Sequence, residues 1–185
     1  LEICEKEKAK IIIPLSDGEA KVIAKNYKLF SSKKILTSAK DIRFINLISN
    51  KFDMMSFLKK KNINVGSFVE IDSLDDIKYY ANNFGYPQKK LVLKPKFGRG
   101  SRGVIICDSN KKKFEDLLTD RFCGVGDIDS IKKKLIQLKL SVKDYIMMPY
   151  YGNKIFDVDC IAKRGKLIEV AVRERQLKNP LMPTS

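Results

Sequence analysis

The sequence predicts an α+β fold of two lobes with antiparallel sheets, preceded by the end of an α/β unit. Three stretches carry this expectation. Residues 91–108 read L-V-L-K-P-K-F-G-R-G-S-R-G-V-I-I-C-D: an apolar run, a glycine-rich loop and a β-branched run, the pattern of a hairpin. Residues 155–162 and 167–175 form a second candidate hairpin around K-R-G-K. Ahead of both, I-I-I-P, a helical stretch and K-I-L-T follow a β-α-β rhythm, which implies parallel pairing.

Taken in order, residues 1–10 read as the end of a charged helix, and Ile11 to Ile13 as a short buried strand stopped by Pro14. Ser16-Asp17-Gly18-Glu19 can cap a helix running to about Phe30, with Ala20, Ile23, Ala24 and Tyr27 on one face. Asn50 opens a helix over residues 51–60 whose Phe52, Met55, Phe57 and Leu58 are expected mostly inward. Residues 67–71 are a strand, and Ser73 heads a helix with Asp75 and Asp76 in its first turn. Gly85-Tyr86-Pro87 closes that helix. Residues 111–118 and 128–138 are expected to be helical. Residues 145–148 are an apolar strand running into a Pro-Tyr-Tyr-Gly-Asn hinge.

The glycine-rich tip suggests a phosphate site. Gly98, Gly100 and Gly103 permit backbone conformations closed to other residues and let the chain approach a ligand. Successive N–H groups can then converge on an anion. Ser101 adds a hydroxyl, Arg99 and Arg102 add charge, and Lys94 sits where the incoming strand ends at Pro95. The spacing matches G-x-G-x-x-G, but a Rossmann site requires a following helix and a strand-like run follows here. No G-K-[ST] ends the loop, which excludes a Walker A motif. A protein kinase needs its lysine after the loop and an H-R-D motif, and the chain has no histidine. An ordinary hairpin in a lysine-rich chain fits the glycine pattern equally well.

With 185 residues, 44% hydrophobic and 32% charged, the chain is long enough for a core and too apolar for disorder. Its net charge of +15 invites a polyanion, but the lysines are spread over several turns and helix ends, which disfavours nucleic acid as a partner. Four scattered cysteines without C-x-x-C or histidine exclude a zinc site and point to a reducing, cytoplasmic setting. Cys107 and Cys160, in apolar strand-like runs, read as small core residues. No apolar run reaches the roughly 20 residues of a membrane span. Leu1 in place of a methionine suggests a start within a longer protein.

Several segments in order resemble the ATP-grasp superfamily, closest to the branch of the carbamoyl phosphate synthase large subunit. They are the helix from Lys51 ending in K-N-I-N-V, G-Y-P, L-V-L-K-P, G-R-G-S-R-G-V, M-P-Y-Y-G and D-V-D-C. The resemblance implies a partial ATP-grasp fold: the C-terminal part of an α/β pre-ATP-grasp domain at 1–47, the small lobe at 48–148 and the start of the large lobe at 149–185. It implies a ligase that binds ATP and magnesium and a small carboxylate, with room for a homo-oligomer and no membrane partner. By the same resemblance Lys51 and Lys94 contact the ATP phosphates, and Gly98, Gly100, Ser101, Arg102 and Gly103 cover them. Met148 and Tyr150 lie at the adenine, and Asp157 is the candidate for the ribose, a surface strand aspartate being the alternative. Arg173 and Arg175 alternate on one strand and share a face, from which they are expected to reach the terminal phosphate or an anionic substrate; an exposed charged strand end is the alternative.

Two departures stand out. Pro149 occupies a place where the family commonly has a glutamate for the adenine amino group. The acidic residue and glutamate–asparagine pair that hold magnesium are not found before Ser185, so this stretch is expected not to turn over alone. A non-catalytic module that binds nucleotide or polyanion is the alternative.

Overall fold

In a computed structural model, residues 1–98, 100–117, 122–152, 154–174, 177–179 and 182–183 are described. The chain begins with α1 (Glu2–Lys6), β1 (Ile11–Ile12), α2 (Asp17–Lys25), α3 (Tyr27–Ser32), β2 (Leu36–Thr37) and α4 (Ile42–Ser49). Strands β1 and β2 pair in parallel, as the β-α-β rhythm predicts. Ile23, Ala24, Phe30, Ile35 and Ala39 form a core of their own. The expected single helix over residues 17–30 is broken at Asn26, whose side-chain amide donates to the Val22 carbonyl at 2.8 Å. Asparagine competes in this way for helical backbone groups, and the turn it allows brings Phe30 into the core. Helix α4 is an addition to the expected elements, and its N-terminus is capped by Asp41, which accepts from the Arg43 N–H at 2.8 Å.

The second unit contains α5 (Lys51–Lys60), β3 (Val69–Glu70), α6 (Leu74–Asn83), β4 (Leu91–Pro95), β5 (Ile105–Cys107), β6 (Glu115–Asp116), β7 (Gly124–Gly126), α7 (Ile128–Gln137) and β8 (Tyr145–Pro149). Asn50 caps α5 through the N–H groups of Phe52 and Asp53. Ser73 and Asp76 form a reciprocal capping box on α6. The six strands form one sheet in the order β3-β8-β4-β5-β7-β6, antiparallel except for β5 beside β7. One face carries Leu91, Leu93, Ile105, Cys107 and Met147, which pack with Ile77 and Ala81 of α6 and Ile128, Ile131 and Leu135 of α7.

Two expectations for this unit need correction. Residues 111–118 form no helix among those described; a loop leads into β6 instead. Phe114 stacks on Phe122 at 5.9 Å and lies across β7, where a Cβ at Gly124 would come within 2.3 Å of its ring. The aromatic ring needs that bare glycine backbone, and tertiary packing overrides the local helical pattern. Helix α5 has no buried residue, and Phe57 is 42% exposed, because the helix flanks the sheet instead of covering it.

Strands β9 (Phe156–Lys163) and β10 (Lys166–Glu174) form the expected antiparallel hairpin, and β11 (Leu177–Asn179) pairs with β12 (Met182–Pro183). Cys107 is buried as expected, but Cys160 is exposed, since nothing among the described residues covers the β9–β10 ribbon.

Candidate functional site

The site builds up from the register of the sheet. Residues two apart on a strand share a face, and directly paired residues on neighbouring strands do too. Val92 pairs with Met148 on one side and Ile106 on the other, and Ile106 with Val125. These four therefore form an apolar row on the face away from the helices. Lys94, two residues along β4 and opposite Ile146, stands on that same face at the loop end. At the other end, Lys90 lies beside Tyr150, whose N–H donates to the Lys90 carbonyl at 3.0 Å, and continues the register opposite Asp108. The face thus runs from a cation, over apolar side chains, to a polar row.

At the loop end, Lys94 and Lys51 converge. The Lys51 N–H donates to the Lys96 carbonyl at 2.8 Å, which ties the start of α5 to the beginning of the loop. The Lys51 Nζ donates to the Gly98 carbonyl at 2.8 Å. Burial pulls the Lys51 ammonium below its ordinary range and the positive charge of Lys94 pulls it further, while the negative charge of Asp17 offsets only part of this. Burial does the same to Lys94. Among the described residues neither lysine is in an ion pair with a carboxylate. Lys96, by contrast, is taken up by Glu70 from β3.

The loop has the backbone its glycines predict. Gly98, Gly100 and Gly103 have φ of 116°, 62° and 76°, and Ser101 also lies in the left-handed region at 60°. At Gly103 a Cβ would stand 2.5 Å from Pro95 Cγ, so the two ends of the loop close on a contact that admits no side chain. Strand β5, not a helix, leaves the glycines. Arg102 is exposed. Arg99 lies outside the described residues.

At the polar end, Lys90 Nζ and Asp108 Oδ2 are 2.7 Å apart, the first side chain 51% exposed and the second 8%. Burial pushes the Asp108 carboxyl up, but the hydrogen bonds from Lys90 and the Asn110 N–H outweigh it and hold the group below its ordinary range. Burial raises the Tyr150 hydroxyl above its ordinary range. Lys90, Ile106, Asp108, Val125 and Tyr150 help line a cavity of about 450 Å³ that continues the apolar row. Lys90 and Asp108 were not among the sequence candidates. The period-2 spacing from Lys94 back to Lys90 was their signal, but it needed the cross-strand register to bring in Asp108.

Of the remaining candidates, Met148 lies on this face while Met147 points into the core. Asp157 and Arg173 pair across β9 and β10. The Arg173 guanidinium lies 3.1 Å from Asp159 and 3.9 Å from Asp157. Arg175 lies outside the described residues. Among the described residues no three His, Cys, Asp or Glu side chains gather in a way that could hold a metal ion, so they do not by themselves provide a magnesium site. No described helix is long and apolar enough to cross a membrane.

This architecture is the ATP-grasp fold, in part. Solved structures with the same fold include the biotin carboxylase domain of the 2-oxoglutarate carboxylase of Hydrogenobacter thermophilus, a dimer with MgADP, ADP and bicarbonate. It is 17% identical, with a TM-score of 0.68 over 98% of this chain and 38% of that one. The biotin carboxylase of Campylobacter jejuni is 18% identical, with a TM-score of 0.68 over 98% and 38% of the two chains. The carboxyaminoimidazole ribonucleotide synthase of Aspergillus clavatus, complexed with ATP, is 16% identical, with a TM-score of 0.60 over 98% and 42%. The chain thus spans about two fifths of the length of these structures. No family model and no curated protein sequence matches it.

Proposed function

We propose that the chain is the ATP-binding part of an ATP-dependent carboxylate–amine ligase, or of a carbamoyl phosphate synthase-like ligase, that works through an acyl phosphate. One observation carries the reading: two half-buried lysines, in no ion pair among the described residues, meet at the mouth of a glycine-rich loop. Leaving cations uncompensated out of water is unfavourable. An anion that arrives to fill the site recovers that free energy, and a polyphosphate matches both the charge and the loop. The fold it shares with enzymes crystallised with MgADP or ATP supports the same reading.

In this scheme residues 1–47 end a pre-ATP-grasp domain, residues 48–148 form the small lobe and residues 149–185 begin the large one. Lys51 and Lys94 bind the phosphates and offset the charge that develops there, which is the main task in phosphoryl transfer. The backbone of Gly98, Gly100, Ser101 and Gly103 covers them and excludes water, with Arg102 at the rim. A carboxylate oxygen of the substrate bonds to the terminal phosphorus as ADP leaves, and an amine then displaces phosphate from the acyl carbon. Met148 and Tyr150 adjoin the base and Asp157 the ribose. Arg173 and Arg175 are assigned to the anionic substrate, Arg173 by exchanging its aspartates for it.

Isothermal titration with ADP and with inorganic tripolyphosphate tests the reading. Binding of both, strongly weakened in Lys94→Ala and indifferent to RNA, is the expected result. Equal responses to any polyanion, falling steeply with salt, would instead assign the +15 charge a bulk electrostatic role and overturn the ligase reading.

A further inference from the structure

The nucleotide reading sets Met148 and Tyr150 beside the base but names no group for its polar edge, because Pro149 has neither a carboxylate nor an N–H with which to read it. On the same sheet face, one row of the register away from the apolar floor, stand Tyr150, Lys90 and Asp108. We infer that Lys90, held in place by buried Asp108, is the group that reads the edge of a purine base seated in the adjoining cavity, against Ile106, Val125 and Tyr150. This rests on the nucleotide reading above and adds a residue and a chemistry to it.

Three features support it. First, spacing: Lys94 on β4 and Lys90, the residue that leads into it, are four residues apart, about 13 Å at the usual rise, which leaves room for a ribose and phosphates between a base at one end and the terminal phosphates at the other. Second, chemistry: an ammonium has three N–H donors and no acceptor. Asp108 engages Lys90 at 2.7 Å, and the half-exposed ammonium has donors left for the cavity. A ring nitrogen of adenine or the 6-oxo group of guanine is the acceptor such a donor takes. Third, placement: Asp108 is 6% exposed and is fixed in turn by the Asn110 N–H at 3.0 Å. A lysine on an exposed strand end is ordinarily a loose, solvated chain. This one is anchored by a buried carboxylate at the wall of a cavity of about 450 Å³. Lys90 is therefore assigned as the base-contacting residue, and Asp108 as the residue that positions it.

Isothermal titration of ADP, GDP and inorganic tripolyphosphate into the unsubstituted chain, Lys90→Met and Lys90→Arg tests the inference. Lys90→Met is expected to weaken at least one nucleotide by about tenfold or more, the order of one charge-assisted hydrogen bond, while tripolyphosphate, which has no base, binds as before. Lys90→Arg, which keeps the donor, is expected to recover part of the loss. A loss confined to ADP or to GDP identifies the base. Equal weakening of tripolyphosphate makes Lys90 a general attractor of anions and overturns the inference, as does unchanged binding of both nucleotides. If the unsubstituted chain binds tripolyphosphate but neither nucleotide, the inference also falls. If it binds none of the three, the nucleotide reading falls with it.

Discussion

Two of the antiparallel hairpins, β4–β5 and β9–β10, each carry positive charge and a left-handed glycine, and they hold that charge differently. In β4–β5, Lys94 and nearby Lys51 are half-buried and, among the described residues, form no ion pair with a carboxylate. In β9–β10, Arg173 is 66% exposed in its side chain and lies between Asp157 and Asp159. Basic residues alone therefore say little in a chain with 37 lysines and arginines. What distinguishes the first hairpin is a half-buried lysine beside a second one, with no ion pair to either among the described residues.

The glycines sharpen the contrast most. Gly103 and Gly165 have nearly the same φ, 76° and 77°. A Cβ at Gly103 would meet Pro95 Cγ at 2.5 Å, whereas at Gly165 it would meet nothing within 4 Å. Gly103→Ala is expected to lose about 2–5 kcal/mol, the left-handed cost plus overpacking. Gly165→Ala is expected to lose only about 1–2 kcal/mol. Urea unfolding of both variants checks the difference; equal losses would remove the distinction between a packed loop and an open turn.

Lys94→Ala comes next, with an expected loss of about 1.5–3 kcal/mol in tripolyphosphate binding, or roughly tenfold to a hundredfold. Stability should not fall, since a desolvated cation is removed. The pH response follows the same logic. The folded-state pKa values of Lys51 and Lys94 lie below the ordinary 10.5, so the unfolded chain binds more protons as pH approaches that value. Stability of the ligand-free chain should gain from these two groups as pH rises through their folded-state range toward 10.5. Bound tripolyphosphate should suppress the gain by restoring the protons. Urea titrations at stepped pH, with and without the anion and in Lys94→Met, measure it; a gain of the same size in Lys94→Met would locate it elsewhere.

The smallest effect is expected at Arg173. An exposed ion pair contributes about 0–1 kcal/mol, so Arg173→Ala should alter unfolding within that range and change ADP affinity less than about threefold. A tenfold loss of ADP affinity would place Arg173 itself at the nucleotide and erase the contrast.

Much of this was legible from local chemistry. Ser73 with Asp76, and Asn50 ahead of Lys51, marked helix starts, because a cap is decided by a few adjacent residues. The glycine loop and its flanking strands could be read for the same reason. The expected helix at 111–118 failed because Phe114 answers to Gly124 and Phe122, not to its sequence neighbours. Cys160 failed because an apolar run does not reveal whether anything packs on it.

By itself, then, the sequence determined where the chain turns, which helices begin at which caps, and that a flexible cationic loop follows Lys94. Only the tertiary structure decided which charges lose their water and which find a carboxylate. Strand β8 enters between β3 and β4 from far along the sequence and sets Tyr150 beside Lys90, which the β4–β5 pairing sets opposite Asp108. Side-chain direction along a strand is a local property, but the neighbour across the sheet is not, and the chemistry of this site belongs to the neighbours.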